Sequence, residues 1–215
     1  MEYNVKRYVD ILSEENERHN LVSRKSFAQD VDKHIIDSLS VLQFERLVDK
    51  KVVDIGSGAG FPALILAMKC SNSNFVLIES NLKKSSFLSR VVEELNLSNV
   101  EVIRGRVEEI GQDLLYRNQF DICTSRAVAP LNVMLEYGLP LLKTGGQMWL
   151  WKGRNYPTEV DEAQNALKVL KAKVMQVHLY TLLEERDRAI VIVKKQEDIS
   201  QKYPRRIGIP KKQPL

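Results

Sequence analysis

The stretch Val52-Val53-Asp54-Ile55-Gly56-Ser57-Gly58-Ala59-Gly60-Phe61-Pro62 decides the fold class of this 215-residue chain. Its β-branched start predicts a buried strand, and Pro62 is expected to begin a helix because the first helical position needs no amide hydrogen. The three glycines between them allow a tight turn and the close approach of a ligand. Phe61 stands where the dinucleotide-binding pattern G-x-G-x-x-G has its last glycine, and no Lys-Ser or Lys-Thr pair completes a Walker loop. The stretch therefore predicts a strand, a ligand-binding turn and a helix in immediate succession.

From residue 51 onward, short β-branched runs alternate with amphipathic segments, which is typical of a parallel sheet covered by helices on both faces. The predicted strands are 51–55, 75–79, 100–104, 120–125 and 146–151. The predicted helices are 60–70, 82–95, 107–116, 129–140 and 158–171. The later runs 173–183 and 187–195 are separated by Glu184-Glu185-Arg186, a connection too short for a helical crossover. They should therefore pair antiparallel, which predicts an α/β fold with a terminal hairpin.

An acidic residue follows the second predicted strand at a spacing that suits a nucleoside ligand. Glu79 lies 23 residues after Gly56, where a carboxylate can accept hydrogen bonds from two ribose hydroxyls. A tight turn with a solvated acid is the alternative, but strand, helix and spaced acid together favour a site for an adenosine-containing ligand. S-adenosyl-L-methionine contains adenosine but no pyrophosphate, so it does not need the glycine that Phe61 replaces. The spacing from Asp54 to Gly60 and the terminal hairpin favour this methyl donor over NAD.

The positive charge of the chain is concentrated at its end. Residues 201–215 hold five lysines and arginines and no acid, whereas the rest of the chain holds 27 bases and 28 acids. Three of the seven prolines also fall in this tail, so it is expected to be extended, either docked on the body or free. The predicted organisation is a helical extension at 1–50 with a break near Asn20, a methyltransferase domain at 51–195 and a basic tail at 196–215.

The composition excludes several classes of protein. With 44% hydrophobic and 28% charged residues, the chain is neither low-complexity nor wholly disordered. Two cysteines and three histidines offer neither a disulfide framework nor the ligand spacing of a zinc site. The start lacks a signal-peptide pattern, and the longest apolar stretch, Pro62–Met68, is too short to span a membrane. We therefore expect a cytoplasmic monomer without a metal or a membrane contact.

Motifs spread along nearly the whole chain resemble one family. They are His19-Asn20-Leu21, His34–Leu39, Gly56–Pro62, Gly105–Glu109, Ser125–Leu131, Lys152-Gly153 and Tyr203–Pro210. On these motifs the chain resembles the bacterial glucose-inhibited division protein B (RsmG/GidB) family, the small-subunit ribosomal RNA guanine-N7 methyltransferases. The resemblance implies a Rossmann-like, seven-stranded methyltransferase fold, S-adenosylmethionine as donor and 16S rRNA or the small ribosomal subunit as partner. The resemblance also implies that the donor is contacted by Gly56, Phe61, Val107, Glu108 and Arg126. The glycine turn adds Gly58 to these predicted contacts, and the acid at the end of the second strand adds Glu79.

The chemistry at guanine N7 agrees with the residues around the fourth predicted strand. N7 carries a free lone pair at neutral pH, so the enzyme needs alignment of the reactants but no general base. The loop 125–130 lacks the Asp/Asn-Pro-Pro-aromatic pattern of amino-group methylation. Cys123 lies within an apolar strand and Cys70 at a helix end, so neither is expected to be a nucleophile. Arg126 is expected at the mouth of the site, where it can hold the methionine carboxylate, the acceptor guanine or a phosphate.

Helical spacing places His34, Asp37 and Ser38 on one face of an amino-terminal helix, opposite an apolar face that contains Ile35 and Leu39. Two interpretations stay open. The stripe can be a polar surface braced by an Asp37–His34 hydrogen bond, or it can line the substrate mouth and order Arg126 or the target base. A general-base role for His34 is the least favoured, since N7 has no proton to lose.

The basic tail is predicted to bind RNA phosphates rather than to read bases, although a role in solubility alone is the alternative. Tyr203 is expected to offer a stacking face beside the cations. Those cations are Lys202, Arg205, Arg206, Lys211 and Lys212. Three other functions remain open for the chain: a donor-binding RNA-binding protein without transfer activity, a methyltransferase for another RNA or a small molecule, and a nicotinamide dehydrogenase.

Overall fold

Helices and strands alternate along most of the chain in the computed structural model, which describes residues 2–19, 21–22, 27–182 and 186–215. The strands are β1 (Lys51–Ile55), β2 (Asn74–Glu79), β3 (Val100–Arg104), β4 (Phe120–Arg126), β5 (Leu142–Gly153), β6 (Ala172–Leu182) and β7 (Arg186–Lys195). The helices are α1 (Glu2–Arg18), α2 (Phe27–Leu39), α3 (Ala63–Lys69), α4 (Leu82–Glu94), α5 (Val107–Ile110), α6 (Leu131–Gly138), α7 (Tyr156–Glu162), α8 (Gln164–Val169) and α9 (Ile209–Lys212). Short 3-10 turns at Ser40–Gln43 and Leu139–Leu141 precede β1 and β5.

The strands form one mixed sheet in the order β3-β2-β1-β4-β5-β7-β6. β1 to β5 are parallel, whereas β7 runs antiparallel to both β5 and β6. The predicted α/β fold and its antiparallel terminal pair are therefore confirmed. The strand order reverses between β1 and β4, and in such sheets a ligand binds outside the carboxyl ends of the strands at that point.

Two apolar cores cover the two faces of the sheet. On one face, α1 places Tyr8, Ile11 and Leu12 in the same core as Leu64 of α3 and Trp149 of β5. The other core is built largely from α6, α8 and the remaining faces of the central strands. The helices of 1–50 thus pack directly on the α/β sheet, and the division of the chain at residues 50 and 195 stays a prediction. No helix of the described ranges is long and apolar enough to cross a membrane.

Several predicted boundaries are wrong for local reasons. The helix predicted at 60–70 begins at Ala63, with Pro62 as its N-cap residue, because Gly60 has a φ of 103°, which lies outside the right-handed helical region. The helix predicted at 107–116 ends at Ile110, where Gly111 follows it. The helix predicted at 158–171 is two helices separated at Ala163.

Other strand and helix ends differ by a few residues. The strand predicted at 146–151 is longer, at Leu142–Gly153, and the helix predicted at 129–140 is shorter, at Leu131–Gly138. The predicted break near Asn20 lies outside the described residues, as do the predicted strand end at Leu183 and the first two residues of the predicted connection after it.

The basic tail is docked on the body and is not free. Arg117 fixes its beginning, because the guanidinium donates to the carbonyl oxygens of Tyr203 at 2.6 Å, Ile199 at 3.1 Å and Ser200 at 3.2 Å. The Tyr203 side chain is buried, with the residue only 6% exposed, so the expected stacking face is wrong. The tail also contains a short helix, α9, where an extended segment was expected.

Candidate active site

The glycine turn follows β1 at the point where the strand order reverses. Gly56, Gly58 and Gly60 all have positive φ angles, of 71°, 58° and 103°. A Cβ on Gly56 would lie 2.5 Å from Cγ2 of Val128, so a side chain there would collide with the loop after β4. The hydroxyl of Tyr8 donates to the carbonyl of Ala59 at 2.6 Å and ties the turn to α1. The turn is therefore compact and fixed from two sides.

Asp54, on β1 just before the turn, carries a buried polar atom without a partner. Thr124 donates its hydroxyl to Oδ1 of Asp54 at 2.6 Å, but Oδ2 is buried and accepts no hydrogen bond among the described residues. Burial raises the pKa of Asp54 to about 7. A buried carboxylate oxygen is costly unless it gains a donor, so the site is chemically matched to a ligand with a cationic or donor group.

Glu79 ends β2 and holds the glycine turn against the neighbouring strand. Its Oε2 accepts from the Gly58 amide at 2.9 Å, and its Oε1 accepts from the Asn81 amide at 2.8 Å. A carboxylate has about four acceptor positions, so two remain. Glu79 is buried and anchored by these two amides, and its contact to the ribose stays a prediction.

A cavity of about 230 Å³ opens beside the turn at the carboxyl ends of β1, β2 and β3. Gly56, Val107 and Glu108, three of the predicted donor contacts, line it together with Val128. The other predicted contacts adjoin the turn but do not line this cavity. They are Gly58, Phe61, Glu79 and Arg126.

The tail closes one side of this cavity, which the sequence analysis did not anticipate. Glu108 accepts a hydrogen bond at 3.0 Å from the amide of Gly208, and Lys211 is one of the lining residues. Burial and the negative charge of Glu108 raise the pKa of Tyr137, another lining residue, to about 12. Contacts between segments a hundred residues apart leave no local sequence signal. The cavity is thus lined by residues from both the α/β body and the tail.

The loop between β4 and α6 is fixed by an ion pair. Lys152 donates to the Ala129 carbonyl at 3.0 Å and to Oε2 of Glu159 at 2.6 Å. The same Glu159 oxygen accepts from the Leu131 amide at 2.9 Å. These bonds hold the carboxyl-terminal side of the loop whose Val128 contacts Gly56, which gives Lys152 of the Lys152-Gly153 motif a structural role at the cavity.

Asp37 organises the other half of the site, at the ends of β4, β5 and β6. Its Oδ2 accepts from Nη1 of Arg126 at 2.8 Å and its Oδ1 accepts from the Tyr180 hydroxyl at 2.6 Å. The Trp151 indole donates to the Asp37 carbonyl at 2.8 Å. Asp37 is almost fully buried, with its side chain 3% exposed. Of the two interpretations of this helix, the structure supports the one in which the stripe orders Arg126.

The interpretation of the stripe on α2 as a polar surface in solvent is wrong, because α2 packs this face on the sheet. Ser38 is buried and donates its hydroxyl to the His34 carbonyl at 2.6 Å, so it braces its own helix. The His34 ring lies 5.1 Å from the Phe61 ring, over which Arg126 also stacks at 5.2 Å. Burial and, next, the positive charge of Arg126 lower the pKa of His34 to about 4. The imidazole is therefore neutral at neutral pH.

The five tail cations differ in their availability. Arg205 is held by Glu136 through two forked hydrogen bonds of 2.6 and 2.9 Å, and the Glu136 carboxylate is buried. The Lys202 ammonium lies 5.0 Å from the centre of the Tyr203 ring. Within the described ranges, four of the cations make no ion pair. These four are Lys202, Arg206, Lys211 and Lys212.

The family model and the relatives that match this chain carry the same name. The family model described as rRNA small subunit methyltransferase G matches residues 1–191. The ribosomal RNA small subunit methyltransferase G of Syntrophomonas wolfei is 55% identical over 215 residues and covers 100% of both chains. The protein of the same name from Carboxydothermus hydrogenoformans is 41% identical and covers 97% of this chain and 89% of its own.

Solved structures with the same fold are distant in sequence. M. jannaschii TYW2 in complex with AdoMet superimposes with a TM-score of 0.61 at 15% identity, covering 76% of each chain. A SAM-dependent methyltransferase from Aquifex aeolicus gives a TM-score of 0.60 at 16% identity and covers 84% of this chain and 98% of its own. At this identity the likeness shows the fold, which is that of methyltransferases with a Rossmann-like sheet.

Proposed function

This chain belongs to the rRNA small subunit methyltransferase G family, and we propose on that premise that it transfers the methyl group of S-adenosylmethionine to N7 of one guanosine in 16S rRNA. The observation that carries the proposal is a two-part site at one edge of the sheet. A nucleoside-sized cavity lies at the ends of β1 to β3, and the Asp37–Arg126 pair lies beside it at the end of β4. The partner is the rRNA or the small ribosomal subunit, and we expect a cytoplasmic monomer.

The residues of the donor half fit an adenosine-containing sulfonium compound. Bound S-adenosylmethionine would supply an electrophilic methyl group. Glu79 would hold the ribose hydroxyls, Val107 and Glu108 the adenine side, and the unpartnered Oδ2 of Asp54 offers an acceptor for an ammonium group. Gly56 leaves the space in which a ligand can approach the backbone.

The acceptor half positions a nucleophile and does not activate one. Guanine N7 needs no deprotonation, so the rate enhancement comes from alignment and from holding both reactants in place. Arg126 is the residue that we propose to touch the acceptor or the methionine carboxylate, since its guanidinium keeps donors beyond the one that Asp37 engages. Asp37 acts through Arg126 as a positioning residue, and Ser38 supports the helix that carries both His34 and Asp37. A neutral His34 can hydrogen-bond to the base without competing for a proton.

We propose that the tail contributes affinity for the RNA backbone through its unpaired cations. Lys202, Arg206, Lys211 and Lys212 are available for phosphates, whereas Arg205 is occupied by Glu136 and serves to dock the tail. Phosphate contacts of this kind fix register but carry no sequence information. The tail should therefore increase affinity for RNA without selecting the target guanosine.

Product identification tests the function. The purified protein is incubated with methyl-labelled donor and either naked 16S rRNA or small subunits that lack the modification, and the RNA is digested to nucleosides. We expect label in 7-methylguanosine from at least one of the two substrates. Label only in another nucleoside, or donor binding with no transfer to either RNA, would contradict the proposal and favour the alternatives of another methylation target or of a binding protein.

A further inference from the structure

Arg188 is a half-buried cation that nothing in the described chain neutralises. Its Nε is buried and has no hydrogen-bond partner, and its guanidinium forms no ion pair with any described residue. A buried donor without a partner is costly, and a ligand that brings an acceptor would remove this cost. Arg188 is therefore a candidate for binding an anionic group of a ligand.

The position of Arg188 is on the acceptor half of the site. In the β5–β7 register Arg188 faces Gly153, and in the β6–β7 register it faces Tyr180, whose hydroxyl binds Asp37. Trp151 aligns with Arg126 on β4 and with Ile190 on β7, two residues from Arg188. The spacing between neighbouring strands and the rise per residue along a strand place the Cα atoms of Arg126 and Arg188 about 12 Å apart. Two side chains of this length can contact groups of one nucleotide.

The described residues leave space at Gly153, directly across the register from Arg188. A Cβ built on Gly153 would meet no described atom within 4 Å, which leaves room for a ligand. The donor cavity lies on the other side of the reversal point, along β1 to β3. A ligand over Gly153 would thus approach from the acceptor direction without entering the donor cavity.

The nearby charges leave Arg188 as the uncompensated group. Both carboxylate oxygens of Asp37 are taken, one by Arg126 and one by Tyr180. The positive charge of Arg188 helps to keep the pKa of His34 low, so His34 adds no counter-charge. The Asp37–Arg126 pair sums to zero, and Asp30 is the other carboxylate whose charge acts on His34. Among the described residues neither carboxylate forms an ion pair with the Arg188 guanidinium, which can bind a single anionic group such as a phosphodiester.

We propose that Arg188 binds a backbone phosphate of the acceptor RNA at the target nucleotide and so contributes affinity for the RNA on the acceptor half. The proposal rests on the proposed function and names a further substrate-binding residue for the same reaction. Because the contact is made equally before and during methyl transfer, its loss should raise KM for RNA and leave kcat nearly unchanged.

The test compares R188Q with K194Q, which removes the same charge from the other end of β7. With whichever RNA substrate the wild type methylates, R188Q should raise KM by about tenfold or more, since a hydrogen bond to a charged group contributes at least that factor. It should also make the slope of log affinity against log salt shallower by about 0.7, the value for one phosphate on single-stranded RNA. K194Q should change neither quantity, and R188K should recover most of the affinity.

Two further measurements separate the outcomes. The affinity for S-adenosylhomocysteine should be equal in R188Q and wild type, and the Tm of R188Q should not fall, because no native partner is lost. An unchanged KM and slope in R188Q, an equal loss in K194Q, a weakened donor site or a lower Tm would each overturn the role of Arg188. Failure of the proposed function is distinguishable, because the wild type itself would then produce no 7-methylguanosine.

Discussion

Replacement of Asp37 by asparagine removes one negative charge from the centre of the acceptor half and keeps the size of the side chain. Asp37 accepts the Arg126 bond at 2.8 Å and the Tyr180 bond at 2.6 Å in a site that is 3% exposed. An amide has only one acceptor oxygen, so one of the two bonds is lost and the other is weakened. With about 1.5 to 3 kcal/mol for a hydrogen bond to a charged group, we expect D37N to lose about 2 to 4 kcal/mol of unfolding free energy.

At this chain length such a loss corresponds to a decrease in Tm of about 4 to 16 °C. The methyl-transfer rate should fall by about a hundredfold in single-turnover assays with saturating RNA and donor, because a displacement of about 1 Å at a positioned group costs that much. D121N is the matched control, since Asp121 likewise accepts two bonds, from the Lys143 ammonium and the Lys51 amide, both at 2.8 Å, but lies at the opposite end of β4 from Arg126; it should leave the transfer rate unchanged. Wild-type transfer rates in a folded D37N protein would refute the positioning role of Asp37.

Four further expectations concern single features of the site. Burial lowers the pKa of His34 to about 4, so His34 does not change its charge between pH 6 and 8. The kcat of wild type and that of H34Q should therefore depend on pH in the same way over this range. An inflection near pH 6.5 in the wild type that H34Q lacks would contradict this expectation. Burial raises the folded-state pKa of Asp54 to about 7, whereas the unfolded value is about 4, so the folded protein binds the extra proton between these values. The unfolding free energy of the ligand-free protein should therefore fall as pH rises from about 4 to about 7, and D54N should lack this decrease in denaturant titrations. G56A should abolish donor binding in calorimetry, because its Cβ would lie 2.5 Å from Val128 at a φ of 71°; retention of wild-type affinity would show that the loop yields. Deletion of residues 208–215 should weaken S-adenosylhomocysteine binding. It should also make the slope of log RNA affinity against log salt concentration shallower by about 1.4, the value for two cations. An unchanged slope would contradict phosphate contact by that segment.

Local sequence signals were sufficient to predict the sheet and the donor turn. Glycines with positive φ between a strand and a helix, and an acid at the end of the next strand, are set by neighbouring residues, so Gly56 and Glu79 were predicted in their places. The Phe61–Pro62 segment was less predictable. The helix starts at Ala63 and not at residue 60, because Gly60 has a φ of 103°, which no right-handed helical residue adopts.

The acceptor half was only partly predictable because it is assembled from distant segments. Helical spacing grouped His34, Asp37 and Ser38 but did not show which face of α2 packs on the sheet. That orientation follows from contacts with Trp151 and Tyr180, which lie more than a hundred residues later.

The tail shows the same limit. Its charge was evident in the sequence, yet the composition did not reveal that Glu136 holds Arg205 or that Lys211 lines the donor cavity. A cluster of cations predicts a polyanion-binding segment, whereas the fold determines which of the cations are available.

Mapping of 7-methylguanosine in cells tests most directly whether this chain methylates one guanosine of the small-subunit rRNA. 16S rRNA from cells that lack the gene is compared, by cleavage specific for 7-methylguanosine, with rRNA from the same cells carrying the gene. We expect one cleavage site to appear only when the gene is present and to be lost again with D37N. Identical cleavage patterns with and without the gene would contradict the account.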